Sequence, residues 1–210
     1  MYKNETIMNY INALSSGDAV PGGGGASALV CALGMALGNM VGALTIGKKK
    51  YTNIEPEIRM LMEEAGNLQK ELLDDIARDA ECFRPLAAAY SLPSETEEDK
   101  AFKDARMEES LNTACSVPLD IMRKAGRAIR LQSEFAEKGS LLAISDAGTG
   151  VAMCKAALRG ASLNVYINTG MMKDRDRAEK LDKEAKEILL KYSLMADHVF
   201  DIVLSKIRKD

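Results

Sequence analysis

Residues 21–50 read Pro21-Gly-Gly-Gly-Gly-Ala-Ser-Ala-Leu-Val-Cys-Ala-Leu-Gly-Met-Ala-Leu-Gly-Asn-Met-Val-Gly-Ala-Leu-Thr-Ile-Gly47-Lys-Lys-Lys50, and this stretch decides the fold. No residue from Ala19 to Gly47 carries a charge. The run is too long for a strand and lacks the apolar–polar alternation of one. Gly34, Gly38 and Gly42 fall four apart, so they share a helix face and let a neighbouring helix approach closely. A helix of this kind either spans a membrane or lies at the centre of a water-soluble bundle. Its Ala and Gly content, with the polar Ser27, Asn39 and Thr45, makes it weak as a span. The reading is therefore a buried central helix from about Ala26 to Ile46. The glycine run ahead of it reads as a loop ending at Gly25. Lys48, Lys49 and Lys50 behind it suit the negative end of the helix dipole.

Working outward, every segment again reads as helix. Glu5 to Leu14 has Ile7, Tyr10, Ile11 and Leu14 on one side. Thr52 with Glu55, and Pro56 after it, announce a helix to about Ala80, continued through a kink at Pro85 to Tyr90. Ser94 and Glu97 form an expected capping box for a helix to about Ser116. Pro118 starts or kinks another to Glu137. Lys138-Gly139-Ser140 is a break, and Ser145 or Asp146 caps a helix from Ala147 to about Asn164. Leu163 to Thr169 is the only plausible strand. From Met172 to Arg208 the spacing of Ile188, Leu189, Tyr192, Met195, Val199, Ile202 and Val203 is that of a core face. The expectation is one all-α domain over 1–210 with six to nine helices. The central helix is Gly/Ala-rich, and its small faces point to a dimer or a dimer of dimers.

Composition narrows the function classes. Apolar residues make up 47% of the 210 and charged residues 28%, enough for a packed core. The net charge of −3 argues against a general nucleic-acid binder. With no Trp, 6 Tyr and 4 Phe, a stacking platform for single strands is improbable. Cys31, Cys82, Cys115 and Cys154 are far apart and read as buried, reduced thiols. Together with the single His198 they offer no metal-ligand set. The first residues lack the basic and apolar segments of a secretory signal, so the expected location is the cytoplasm, without membrane attachment.

Three places can carry chemistry. Glycines ahead of a helix leave main-chain N–H groups free for an anion, although a turning loop needs the same residues. Gly42 to Lys49 resembles a P-loop but lacks the Ser or Thr after the lysine and lies at a helix end, so it is set aside. Asp146 sits at a helix start, while Asn164 and Asn168, four apart in an apolar stretch, share a face and need partners if buried.

These residues occur in a telling order. Pro21-Gly-Gly-Gly-Gly-Ala-Ser-Ala is followed by Gly47-Lys-Lys-Lys-Tyr51, then Asp79-Ala-x-x-Phe83, then Ser145-Asp146, then Asn164-Val-x-Ile-Asn168. The ordered set resembles the formiminotransferase–cyclodeaminase C-terminal domain family, which includes stand-alone methenyltetrahydrofolate cyclohydrolases. The resemblance implies an all-α dimer with its site at the subunit interface, a tetrahydrofolate derivative as substrate, and no metal or covalently bound cofactor. It also implies one of two reactions. Either 5-formiminotetrahydrofolate cyclises to 5,10-methenyltetrahydrofolate with loss of ammonia, or water opens 5,10-methenyltetrahydrofolate to 10-formyltetrahydrofolate. Both pass through an amidinium-type cation that a carboxylate stabilises.

On that resemblance Asp146 is the first candidate to face the cationic carbon and Asp79 the second, although Asp79 also reads as a solvated helix position. Lys48 or Lys49 would meet the folate glutamate tail or assist proton transfer. Tyr51 would pack on a substrate ring, Asn164 and Asn168 would match the pterin edge, and Gly23, Gly24, Gly25 and Ser27 would line the binding loop. The competing reading is a non-enzymatic dimeric helical module that binds a ligand or a partner.

Overall fold

The computed structural model describes residues 4–208, and among these there are helices and turns but no strand. Helix α1 spans Ile7–Leu14, α2 Gly23–Ala43, α3 Glu55–Tyr90, α4 Glu97–Lys138, α5 Ile144–Thr169 and α6 Arg175–Arg208. Short 3-10 turns at Lys49–Ile54 and Leu141–Ala143 lead into α3 and α5.

The central helix is α2, which packs on α3, α4 and α5. It runs antiparallel to α5, and the seam between them is built on absent side chains. A Cβ at Gly34 would lie 2.7 Å from the Cys154 Sγ and 2.8 Å from the Gly150 carbonyl oxygen. A Cβ at Gly160 would lie 2.5 Å from the Ser27 Oγ. Gly38 and Gly42 make the same kind of room for Phe135 and Met62. The four-residue glycine spacing thus serves close helix contact inside the fold. Both α2 and the segment Leu141–Thr169 are long and apolar enough to cross a membrane, and half of each is buried within the fold.

Several expectations change. The glycine run is not a loop to Gly25: α2 begins at Gly23, with Gly22 at its N-cap. Glycine is a poor helix former, but tertiary contacts crowd Gly23 and Gly24, and at Gly24 they leave no room for a Cβ. Pro85 and Pro118 lie inside continuous helices of 36 and 42 residues rather than at ends. The capping box belongs to Thr96 and Asp99, not Ser94 and Glu97, with the Asp99 N–H donating to the Thr96 hydroxyl at 3.0 Å. Leu163 to Thr169 is the last part of α5, and α6 starts at Arg175 rather than Met172.

Asp146 is not an N-cap either. It occupies the first turn of α5, and the N-cap position is Ala143. Cys82 is half-buried where the other three thiols are buried. Finally, α2 is not covered all round: Leu33, Met40 and Leu44 are exposed along one stripe. On α1, Tyr10 is buried while Ile7, Met8 and Ile11 face outward.

Candidate functional site

At the α2 N-terminus a cavity of about 150 Å³ opens between four helices. Ala19, Val20, Gly22 and Gly23 form one wall, and Asp79 and Phe83 of α3 another. Ala114 and Pro118 of α4 and Asn164, Ile167 and Asn168 of α5 complete it. Asp79 is fixed by the glycines. Its Oδ2 accepts the Gly25 N–H at 2.8 Å across 54 residues of sequence. A Cβ at Gly24 would overlap the carboxylate, so only glycine lets it dock. A carboxylate at the positive end of α2 is favourable. Burial nonetheless pushes the Asp79 carboxyl above the usual range, with the Gly25 N–H opposing and the charge of Asp75 adding to the rise.

One helical turn before Asp79 lies a buried ion network. Asp75 is fully buried, and its carboxylate meets the Lys124 Nζ at 2.6 Å and an Arg78 nitrogen at 2.5 Å. Lys124 and Arg78 also reach Asp120, at 2.9 and 3.1 Å. Two anions and two cations cancel there, so the network leaves no net charge beside the cavity.

The two amides expected to share a face do so. Asn164 donates to the Gly160 carbonyl at 2.9 Å and lies against Gly23. Asn168 is buried, lines the same cavity, and its amide makes no hydrogen bond to the rest of the described chain. Gly23, Asp79, Asn164 and Asn168 are therefore brought together. Gly24 and Gly25 stand behind them, spent on Asp79. Ser27 is turned away: its hydroxyl donates to the Gly23 carbonyl at 2.7 Å and packs on Gly160.

The remaining candidates lie at the opposite end of the α2–α5 pair. The Lys48 Nζ donates to the Ser140 hydroxyl at 3.0 Å, and the Ser140 N–H donates to the buried Thr45 hydroxyl at 2.8 Å. Lys49 is exposed in the 3-10 turn, and Tyr51 is half-buried with the Lys50 ammonium 5.5 Å from its ring centre. Gly47 turns the chain here with φ +75°, and its N–H donates to Glu55. Asp146 is half-buried at the start of α5. The 21 residues of α2 hold the two groups apart by about 30 Å at 1.5 Å per residue. Within one protomer they cannot touch the same small molecule.

Sequence reasoning missed Ala114 and Pro118 as cavity residues. The available signal was a proline inside a long helical pattern. A larger groove of about 380 Å³ between the end of α3 and the start of α4 contains none of the sequence candidates. Its charged residues, Arg106 and Glu109, already pair at 3.0 Å. Among the described residues no group of three His, Cys, Asp or Glu side chains is placed to hold a metal ion.

Comparison with known proteins follows the same geometry. Residues 6–187 match the family described as formiminotransferase-cyclodeaminase. A methenyltetrahydrofolate cyclohydrolase of Methylorubrum extorquens is 42% identical over 207 residues, which cover 99% of this chain and 100% of that protein. The formimidoyltransferase-cyclodeaminase of Rattus norvegicus is 29% identical over 188 residues, 86% of this chain and 35% of the rat protein. The crystal structure of formiminotetrahydrofolate cyclodeaminase from Thermotoga maritima superposes with a TM-score of 0.82 at 24% identity, covering 99% of this chain and 98% of that one. This last likeness establishes the shared all-α fold.

Proposed function

Since the chain belongs to the formiminotransferase-cyclodeaminase family, we propose that it is a folate one-carbon enzyme that hydrolyses 5,10-methenyltetrahydrofolate to 10-formyltetrahydrofolate. The observation that carries this reading is the end-to-end 42% identity to a cyclohydrolase of matching length. Cyclodeamination of 5-formiminotetrahydrofolate is the second reading, favoured by the rat relative and by the Thermotoga maritima neighbour. A non-enzymatic module finds no support among these relatives.

The chemistry fits the cavity. The methenyl carbon lies between two nitrogens that share its positive charge. Water adds to it with loss of one proton, giving a neutral carbinol. The carbinol oxygen then gives up its remaining proton as the C=O forms, the bond to N5 breaks and N5 takes up a proton, so that one proton is released overall. A carboxylate beside this carbon stabilises the cation and relays the proton. Asp79 supplies such a group, and burial moves its proton affinity toward the working range of an acid–base catalyst. Asn164 and Asn168 offer donors and acceptors to the pterin edge.

Asp146, Lys48, Lys49 and Tyr51 reach the same substrate from a second subunit. Two protomers packed antiparallel along the exposed Leu33, Met40 and Leu44 stripe of α2 set the glycine end of one against the lysine end of the other. Asp146 then faces the reacting carbon from across the interface, and the lysines meet the anionic glutamate tail. In this reading residues 1–210 act as one domain, in the cytoplasm, as a homodimer or dimer of dimers without nucleic acid or membrane.

The test is the absorbance of the methenyl compound. Its accelerated loss on adding the protein supports the hydrolase. Its appearance from the formimino compound, with ammonia released, supports the deaminase. No change in either direction overturns both.

A further inference from the structure

We propose that the main-chain carbonyl of Ala114, set free by Pro118, is a substrate-binding acceptor in the Asp79 cavity that takes an N–H of the tetrahydropterin ring. The inference rests on the folate reading above and adds a contact to it. Helix α4 runs unbroken from Glu97 to Lys138 with Pro118 in its interior. A proline nitrogen carries no hydrogen, so the carbonyl four residues earlier, that of Ala114, loses its helical donor. Proline is the least favourable residue at such a position, and a rule broken inside an otherwise regular helix calls for a local reason.

The second helical proline shows what a harmless case looks like. Pro85 frees the Glu81 carbonyl on α3, and both residues are exposed, so water completes that acceptor. Pro118 and Ala114 are buried, and both line the cavity. Among the described residues no side-chain donor reaches the Ala114 carbonyl. A buried acceptor that has lost its helical i+4 donor is costly, and the cavity is its outlet. On the α5 wall of the same cavity Asn164 and Asn168 carry amide oxygens, which are acceptors too, while Asp79 on α3 is left for the reacting carbon. Acceptors on the α4 and α5 walls fit a ligand that presents N–H groups along a flat edge, as the amide and amino groups of a tetrahydropterin do.

The experiment compares three forms of the full chain by calorimetric titration with tetrahydrofolate: the unaltered protein, Pro118→Ala, and a form carrying lactic acid at 118. The alanine restores an N–H that closes the helical bond to Ala114. The lactic acid ester matches alanine in side chain but has no N–H to give. Losing one neutral hydrogen bond weakens binding by about five- to tenfold. The expected result is that loss for Pro118→Ala relative to the ester form, which lacks the proline ring equally, with a melting temperature for Pro118→Ala at or above that of the unaltered protein. Pro118→Ala binding like the unaltered protein, or the ester binding as weakly as the alanine, overturns the inference alone. An unaltered chain that does not bind tetrahydrofolate overturns the folate reading and this inference together.

Discussion

The two ends of the α2–α5 pair are built on opposite principles. At the glycine end, side chains are removed so that a carboxylate can press onto backbone: Gly24 has no room for a Cβ and Gly25 gives its N–H to Asp79. At the lysine end, side chains do the reaching, with Lys48 latched to Ser140, Lys49 exposed and Tyr51 half-buried. One end is a rigid cavity that holds an anion; the other is a set of long arms that carry cations. A substrate with a cationic carbon at one end and a carboxylate tail at the other is complementary to both. A single protomer keeps the two ends a helix length apart.

The largest expected effect breaks this comparison outright. Asp79→Asn and Asp146→Asn each lower kcat by about 10²–10³, the scale of one lost electrostatic contact at a reacting centre. Both changes are nearly isosteric, and after Asp79→Asn the side-chain amide oxygen can still accept the Gly25 N–H. If the two residues serve one site from two subunits, mixing and refolding the two inactive variants restores activity. Random pairing makes half the dimers hybrids with one intact site each, roughly a quarter of unaltered activity. Mixtures that stay inactive place both residues on one protomer's function or leave one of them without a role.

Next in size is overpacking of the seam. Gly38→Leu forces a side chain where even a Cβ lies 2.9 Å from the Phe135 ring, so it destabilises by about 1–3 kcal/mol or more. The melting temperature then falls by about 2–4 °C per kcal/mol. Gly24→Ala is expected to cost less stability but more activity, because it displaces the Asp79 carboxylate. A thermal melt beside a rate assay separates the two glycines.

A subtler effect follows from the raised proton affinity of Asp79. A carboxyl whose folded pKa exceeds its unfolded value contributes stability that is present below the unfolded pKa and is lost as pH rises through the folded one. At neutral pH, where the unfolded carboxyl is ionised, burying Asp79 is therefore a burden on the fold. Asp79→Asn is expected to melt higher than the unaltered protein at pH 7, with the advantage shrinking toward pH 4. A variant that melts lower at pH 7 would show that the bond to Gly25 outweighs burial. The smallest effect belongs to Lys48→Met, which removes the Ser140 latch and one cation. A several-fold rise in KM with kcat unchanged is expected from steady-state rates, the pattern of a group that binds a remote tail.

The central helix is legible in the sequence because its message is local: no charge, helical length, glycines four apart. The start of that helix is hidden because the reason is distant. Four glycines in a row look like a loop until Asn164 and Asp79 occupy the space that side chains at Gly23 and Gly24 would fill. Pro118 misleads for the same kind of reason, since local rules end a helix at proline and only the packing of α4 against α3 and α5 carries it through. The site candidates are legible as types but not as places. Asn164 and Asn168 follow from a four-residue spacing, whereas the pairing of Asp79 with Gly25 spans 54 residues that no periodicity encodes.

The glycine seam also bears on how the chain is made. Gly34 finds its counterpart Cys154 about 120 residues later, on a helix that emerges late from the ribosome. At about 5–20 residues per second, α2 waits roughly 6–24 s for α5, its apolar faces incompletely covered. Newly made chains expose the apolar α2 surface during that interval. Slowing translation after α2 should therefore raise the fraction captured by holding chaperones.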